Sequence, residues 1–160
     1  MHLLPAFQWM EATAIAMSIN ASLYAFAYIE ALHLLALAVL GGSCLMVDLR
    51  LLGLAMTDQQ VTDLYRITRP WFRWSLATIL VTGFLLFISL AATKYYYHFY
   101  FWVKMYFLAA AIIFTFTVKN RVLSGNPALA NTVTGKLMGA VSIFLWAGVG
   151  LAGKAIGYIS

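Results

Sequence analysis

Long apolar stretches alternate with short polar ones along the chain, and the apolar stretches set the expected architecture. Four of them, at about residues 25–47, 71–92, 99–118 and 137–159, carry almost no charge. Each approaches the ~20 apolar residues that a helix needs to cross the hydrocarbon of a bilayer. A backbone in lipid must satisfy its own hydrogen bonds, so each stretch is expected to be helical. The pattern predicts an all-α integral membrane protein, a four-transmembrane-helix bundle in which residues 1–160 form a single transmembrane domain. The lead, MHLLPAFQWMEATAIAMSIN, has no basic n-region and is interrupted by Gln8, Glu11 and Asn20, which argues against a cleaved signal peptide. Pro5 suits the first turn of a short helix and Trp9 suits the headgroup level. An N-terminal interfacial helix is therefore expected before the first span.

The polar connections carry their own signals. TDQQ at Thr57–Gln60 reads as a capping box and predicts a short helix over 58–68, ahead of Pro70. SGNP at Ser124–Pro127 predicts a turn, with Asn126 as N-cap and Pro127 opening a helix that leads into the fourth span. Gly135 with Gly139, and Gly153 with Gly157, form two GxxxG pairs. They are expected to serve close packing within the bundle, with a homodimer face as the alternative.

Composition strengthens the membrane reading. The chain is 64% hydrophobic and 9% charged, whereas about a quarter of a soluble domain is charged. The lipid bilayer is thus the first expected partner. The net charge of +5 comes from bases spread singly among apolar segments, a distribution that argues against nucleic acid. Arg50, Arg66, Arg69 and Arg73 fall around the first connection, and Lys119, Arg121 and Lys136 around the third. Both connections share one side of a four-span bundle, and residues 1–28 on the other side have no Lys or Arg. The positive-inside rule predicts that both termini lie outside, on the side away from those bases. Cys44 is the sole cysteine, so no intrachain disulfide forms.

Candidate chemistry concentrates in IEALHLLALAVLGGSCLMVDLRLLG, residues 29–53, where Glu30 and His33 lie one helical turn apart inside an apolar run. With Asp48 and Lys119 marking the inner ends of the first and third spans, His33 and Lys104 each lie fifteen residues earlier. At 1.5 Å per residue both sit ~22 Å from the inner boundary. Glu30, His33 and Lys104 meet at one level if those two helices are neighbours. Ionisable groups at that depth are costly and mark a functional-site hypothesis. His98, in YYYH at Tyr95–His98, lies ~9 Å further out, at the level of an aromatic belt. A shared metal site on His33 and His98 therefore requires tilted helices or a tilted ring. HExxH, CxxC, Gly-rich phosphate loops and GxSxG are all absent from the sequence.

The E-x-x-H helix ending in D-L-R-L-L-G, the WMEAT lead, the TGFLLF stretch and Lys104 resemble the signature of a family of uncharacterised bacterial four-helix inner-membrane proteins. More distantly, a histidine in the first span, an Arg at its inner end and the W-x-K of Trp102 and Lys104 are similar to the HemJ-type protoporphyrinogen oxidases and the CopD membrane domains. That distant resemblance implies a heme b or porphyrin site using His33 and Lys104; the departure is the lack of a clear second ligand histidine within the spans. The expectation is a membrane-embedded heme b-binding protein with a redox or electron-transfer role. His33 is the axial ligand, Glu30 accepts its other N–H, and Lys104 lies near a propionate. Trp102, with Tyr28 and Phe101, flanks the porphyrin, and His98 is the other candidate metal ligand. The alternative is a non-enzymatic membrane subunit or small ion or proton transporter using the Glu30–His33–Lys104 cluster. Either fits a homo-oligomer or a larger membrane complex, and whether the protein is an enzyme stays open.

Overall fold

The computed structural model describes residues 4–89, 96–125 and 127–159, and all regular structure among them is helical. Two short helices, α1 (Leu4–Glu11) and α2 (Ala14–Ala21), precede α3 (Leu23–Leu52). Thr13 caps α2 by accepting from the Ala16 N–H, and Ser22 caps α3 by accepting from the Ala25 N–H. After α3 come α4 (Val61–Ser89), α5 (Phe99–Gly125), a 3-10 turn over Pro127–Asn131 and α6 (Val133–Ile159). The four helices α3 to α6 are each long and apolar enough to cross a membrane. Their outward surfaces carry Leu34, Leu35, Val81, Ile113, Phe144 and Leu151 in the open, where lipid tails rather than water would solvate them.

The helices outrun the apolar stretches that predict them. α3 continues past Val47 to Leu52 because Asp48 and Arg50 are helix-compatible and the stop comes only at Gly53. Gly53 takes the left-handed conformation (φ 76), and the Leu54 N–H returns to the Leu49 carbonyl at 3.0 Å. The separate helix over 58–68 is not formed. Residues 57–60 are not helical, the Leu64 N–H bonds to the Gln60 carbonyl at 3.1 Å, and α4 then runs unbroken through Pro70. Pro70 lacks a donor, yet neighbouring bonds carry the helix past it. Residues 90–92 of the expected second span and Asn126 lie outside the described residues. Pro127 opens the 3-10 turn, and the last long helix begins only at Val133.

Packing follows chain order. α3 lies most extensively against α4, α5 against α6, and α3 also against α6. α4 meets α5 through rings, with Phe87 stacked on Phe101 at 5.2 Å and Phe72 at 6.2 Å from Phe116. Antiparallel neighbours thus alternate, and the parallel pair α3 and α5 face each other across the bundle instead of packing side by side. That corrects the expected pocket between adjacent first and third spans.

The glycines of α6 permit its close approaches. A Cβ on Gly139 would lie 2.9 Å from the Asp48 carbonyl oxygen, and one on Gly153 would touch the Lys104 side chain at 3.6 Å. Gly139 and Gly153 therefore serve contacts inside the protein. The N-terminal helices fold onto α3 and α4. Phe7 is buried edge-on against Phe87 and Tyr96, while Trp9 is 71% exposed. The bundle has a terminal end, where α3 begins, and a basic end, holding the connections after α3 and α5. The larger buried cluster (Val47, Leu51, Val61, Leu64, Leu123, Ala130 and Met138) lies toward the basic end. A second, built on Leu40, Phe72, Leu76 and Ile79, fills the middle.

Candidate functional site

Toward the terminal end, His33 is half-buried where α3 crosses α4. The ring fits there because Gly83 has no side chain: a Cβ on it would lie 3.2 Å from His33 Cε1. His33 Nδ1 is 2.8 Å from Thr82 Oγ1. Thr82 donates its own proton to the Thr78 carbonyl at 2.7 Å, the usual route for a hydroxyl inside an apolar helix. In the tautomer that carries its proton on Nδ1, His33 donates to Thr82 Oγ1. With Nδ1 protonated, a neutral imidazole keeps its lone pair on Nε2. Lys104 is half-buried with its ammonium end against Gly153.

The other sequence candidates are distributed less tightly. Glu30 is exposed, and among the described residues it makes neither a hydrogen bond to His33 nor an ion pair with Lys104. The reason is rotational: one turn before His33, Glu30 sits beside the contact with α4, and the ring has turned toward Thr82. Trp102 Nε1 donates to the Tyr96 carbonyl at 2.9 Å, which ties the indole to the start of α5. His98 occupies the N-cap position of α5 without a side-chain capping bond, and its buried Nδ1 has no hydrogen-bond partner among the described residues. Tyr28 is 75% exposed.

A second polar centre, near the basic end, uses residues that the pattern reading treats only as helix-end markers. Asp48 Oδ1 accepts from Lys119 Nζ at 2.6 Å, and the two side chains are 1% and 3% exposed. Asp48 Oδ2 accepts from Ser142 Oγ at 2.6 Å and from Cys44 Sγ at 3.2 Å. Lys119 Nζ also donates to Ser142 Oγ at 3.3 Å. Three helices, α3, α5 and α6, thus converge on one carboxylate. The chain of α5 widens into a π turn over Thr115–Lys119 at this level, a feature that often accompanies functional sites. The sequence signal available was the Cys44–Asp48 spacing of four, which places thiol and carboxylate on one helix face. Ser142 offered none.

Beside this centre, Tyr65, Thr68, Arg69 and Arg73 of α4 line a small cleft with Ser43, Thr115 and Lys119, of about 20 Å³, roughly one water molecule. Tyr65 donates its hydroxyl proton to Asn120 Oδ1 at 2.8 Å. Among the described residues, the buried Arg69 Nε has no hydrogen-bond partner. Because Asp48 and Lys119 touch, the parallel helices α3 and α5 are in level register there. His33 and Lys104, fifteen residues earlier on each, are therefore level as well, ~22 Å away. Among the described residues, no three or more His, Cys, Asp or Glu side chains cluster as a metal-holding group.

Residues 6–159 match DUF6644, a family of unknown function. The chain belongs to the DUF6644 family. No curated protein and no solved structure matches it. The DUF6644 region runs from α1 to the last turn of α6, so both polar centres and the N-terminal helices fall inside it.

Proposed function

We propose that this DUF6644 protein is a membrane-embedded heme b-binding protein with a redox or electron-transfer role, and that His33 is its axial ligand. The observation that carries the reading is the Thr82 bond, which fixes the ring through Nδ1 and leaves Nε2 with a free lone pair. Metal-ligating histidines normally donate their other N–H to an acceptor that sets the ring. Thr82 takes the part first expected of Glu30. The donor set fits a porphyrin better than a bare ion, since the macrocycle supplies four nitrogens and asks the protein for one or two axial ligands. Lys104, level with His33 and without a carboxylate partner among the described residues, suits a propionate. Trp102 and Phe101 supply aromatic surface at the start of α5. His98 Nδ1, buried and unpartnered, is the candidate second ligand, although its place six residues before Lys104 requires a tilted ring. Bound heme would supply a one-electron iron couple; His33 would hold the iron, and Thr82 would orient that ring.

The test is absorbance. Protein purified after expression with ample heme should show a Soret band, His33→Ala should lose it, and full heme retention by His33→Ala would end the reading. A colourless wild-type protein would favour the second reading, a membrane subunit or small ion or proton transporter. That reading draws support from the buried Asp48–Lys119 pair. The same proposal includes a bacterial inner membrane and periplasmic termini, supported by the bases gathered at the opposite end of the bundle. Cysteines introduced at Thr57 and Asn131 should resist an impermeant thiol reagent on intact cells, and rapid labelling at either would reverse the orientation.

A further inference from the structure

We propose that the cleft at the basic end, between α4 and the π turn of α5, binds a phosphate group, such as an anionic phospholipid headgroup presents. Tyr65, Arg69 and Arg73 recur every four residues and so form one stripe along α4, and all three line the cleft. Two acids of the basic end are engaged elsewhere. Asp48 is held by Lys119 and Ser142, and Asp63 pairs with Arg66 at 3.5 Å on the exposed surface. Arg50 is directed to the Gln59 carbonyl at 2.6 Å. Among the described residues no carboxylate pairs with Arg69 or Arg73, so two guanidinium charges are uncompensated beside a membrane-embedded core.

Arg69 Nε is, in addition, a buried donor without an acceptor among the described residues. A buried unsatisfied donor of a charged group is costly, and an anion at the cleft would relieve both the missing bond and the excess charge. Guanidinium presents a planar fork of donors that suits a phosphate's tetrahedral oxygens. The enclosed volume of about 20 Å³ admits roughly one oxygen, so the group would enter by one phosphate oxygen, with exposed Arg73 at the mouth. Depth favours a lipid source. Trp71 and Trp74, 64% and 76% exposed, lie on α4 between and beside the two arginines, and exposed tryptophans of a span settle at the headgroup level. Basic pockets between transmembrane helices at that level take anionic headgroups.

The experiment uses the full chain purified in a neutral detergent, with thermal unfolding and native mass spectrometry as readouts. The probes are short-chain phosphatidylglycerol, short-chain phosphatidylcholine and inorganic phosphate. Phosphatidylglycerol should bind saturably and raise the unfolding midpoint by several degrees; Arg69→Gln and Arg73→Gln should each weaken this about tenfold or more. Arg66→Gln, which removes an equal charge outside the cleft, should leave it unchanged. Inorganic phosphate acting as well as phosphatidylglycerol would assign the same cleft to a soluble phosphate ester, and its failure would assign the lipid. Equal binding of phosphatidylcholine, equal response of Arg69→Gln, Arg73→Gln and wild type, or no saturable binding by wild type would each overturn the proposal. Should Arg69→Gln fail to fold, Arg69→Lys keeps the charge but loses the Nε donor, and it must still bind phosphatidylglycerol more weakly than wild type.

Discussion

At the basic end an acid and an amine lie 2.6 Å apart, and a serine and a thiol complete the bonding of the carboxylate. About 22 Å away on the same two parallel helices, an imidazole and an amine share a level with no carboxylate joining them. The first centre is closed: its charges cancel, its hydrogen bonds are internal, and three helices depend on it. The second is open, since Thr82 occupies one nitrogen of His33 and leaves the other, and among the described residues no carboxylate pairs with Lys104. A buried ion pair tells more about helix register than about net stability, because desolvation offsets much of the Coulomb attraction. An amine without a carboxylate partner among the described residues, beside a histidine within a membrane helix bundle, marks a functional-site hypothesis.

The largest expected effect breaks the closed centre. Lys119→Met leaves Asp48 buried without its counter-charge, and stranding one member of such a pair typically costs ~3–5 kcal/mol. Asp48→Leu combined with Lys119→Met should recover most of that loss, because neither charge then remains to be desolvated. Unfolding of purified protein in detergent measures both. A double variant as unstable as the sum of the single ones would show that the pair is not coupled.

A smaller effect tests the approach that lets α6 reach Asp48. Gly139→Ala puts a methyl 2.9 Å from a backbone oxygen, which cannot move aside as a side chain end can. Overpacking of this kind costs ~1–3 kcal/mol. Gly153→Ala, at the level of the open centre, meets the flexible end of Lys104 at the ordinary distance of 3.6 Å and should cost well under that. Similar losses at both glycines would erase the contrast in packing between the two levels.

Much of this architecture was readable before any coordinates, and the failures are instructive. Length and apolarity sufficed for four spans, because lipid leaves helices as the only workable form. The register was readable too: taking Asp48 and Lys119 as equal in depth agrees with their direct contact. What they do at that depth was not readable. A charge at the edge of an apolar run looks the same whether it faces headgroups or a neighbouring helix, and only the rotation of α3 and α5 distinguishes the two. Rotation also decided Glu30, whose spacing from His33 permits contact while the ring's preference for Thr82 directs it elsewhere. The π turn at Thr115–Lys119 and the partnership of Ser142 depend on packing between distant segments, for which one sequence carries no local signal.

At the open centre, Thr82→Val removes the acceptor that fixes His33. A neutral hydrogen bond of this sort contributes ~0.5–1.5 kcal/mol, so the stability loss should be modest. The informative readout is heme affinity in the proposed holoprotein, which should fall while the Soret band survives, in contrast to its loss in His33→Ala. Unchanged affinity would mean that Thr82 does not position the ligand ring.

The smallest expected effect is the one that most directly compares the two centres. Glu30 and Lys104 carry opposite charges near one level, as Asp48 and Lys119 do, but Glu30 is exposed and no ion pair joins it to Lys104. Exposed charges are screened, and non-contacting residues combine additively to within ~0.3–0.5 kcal/mol. Lys104→Met and Glu30→Leu should therefore add, each with a small stability change, where Lys119→Met and Asp48→Leu strongly compensate. The same unfolding measurement on the two single variants and the double variant decides it. A coupling near that of the Asp48–Lys119 pair would mean that Glu30 turns inward to neutralise Lys104. The terminal end would then be a second closed centre, and the amine would no longer be available to a propionate.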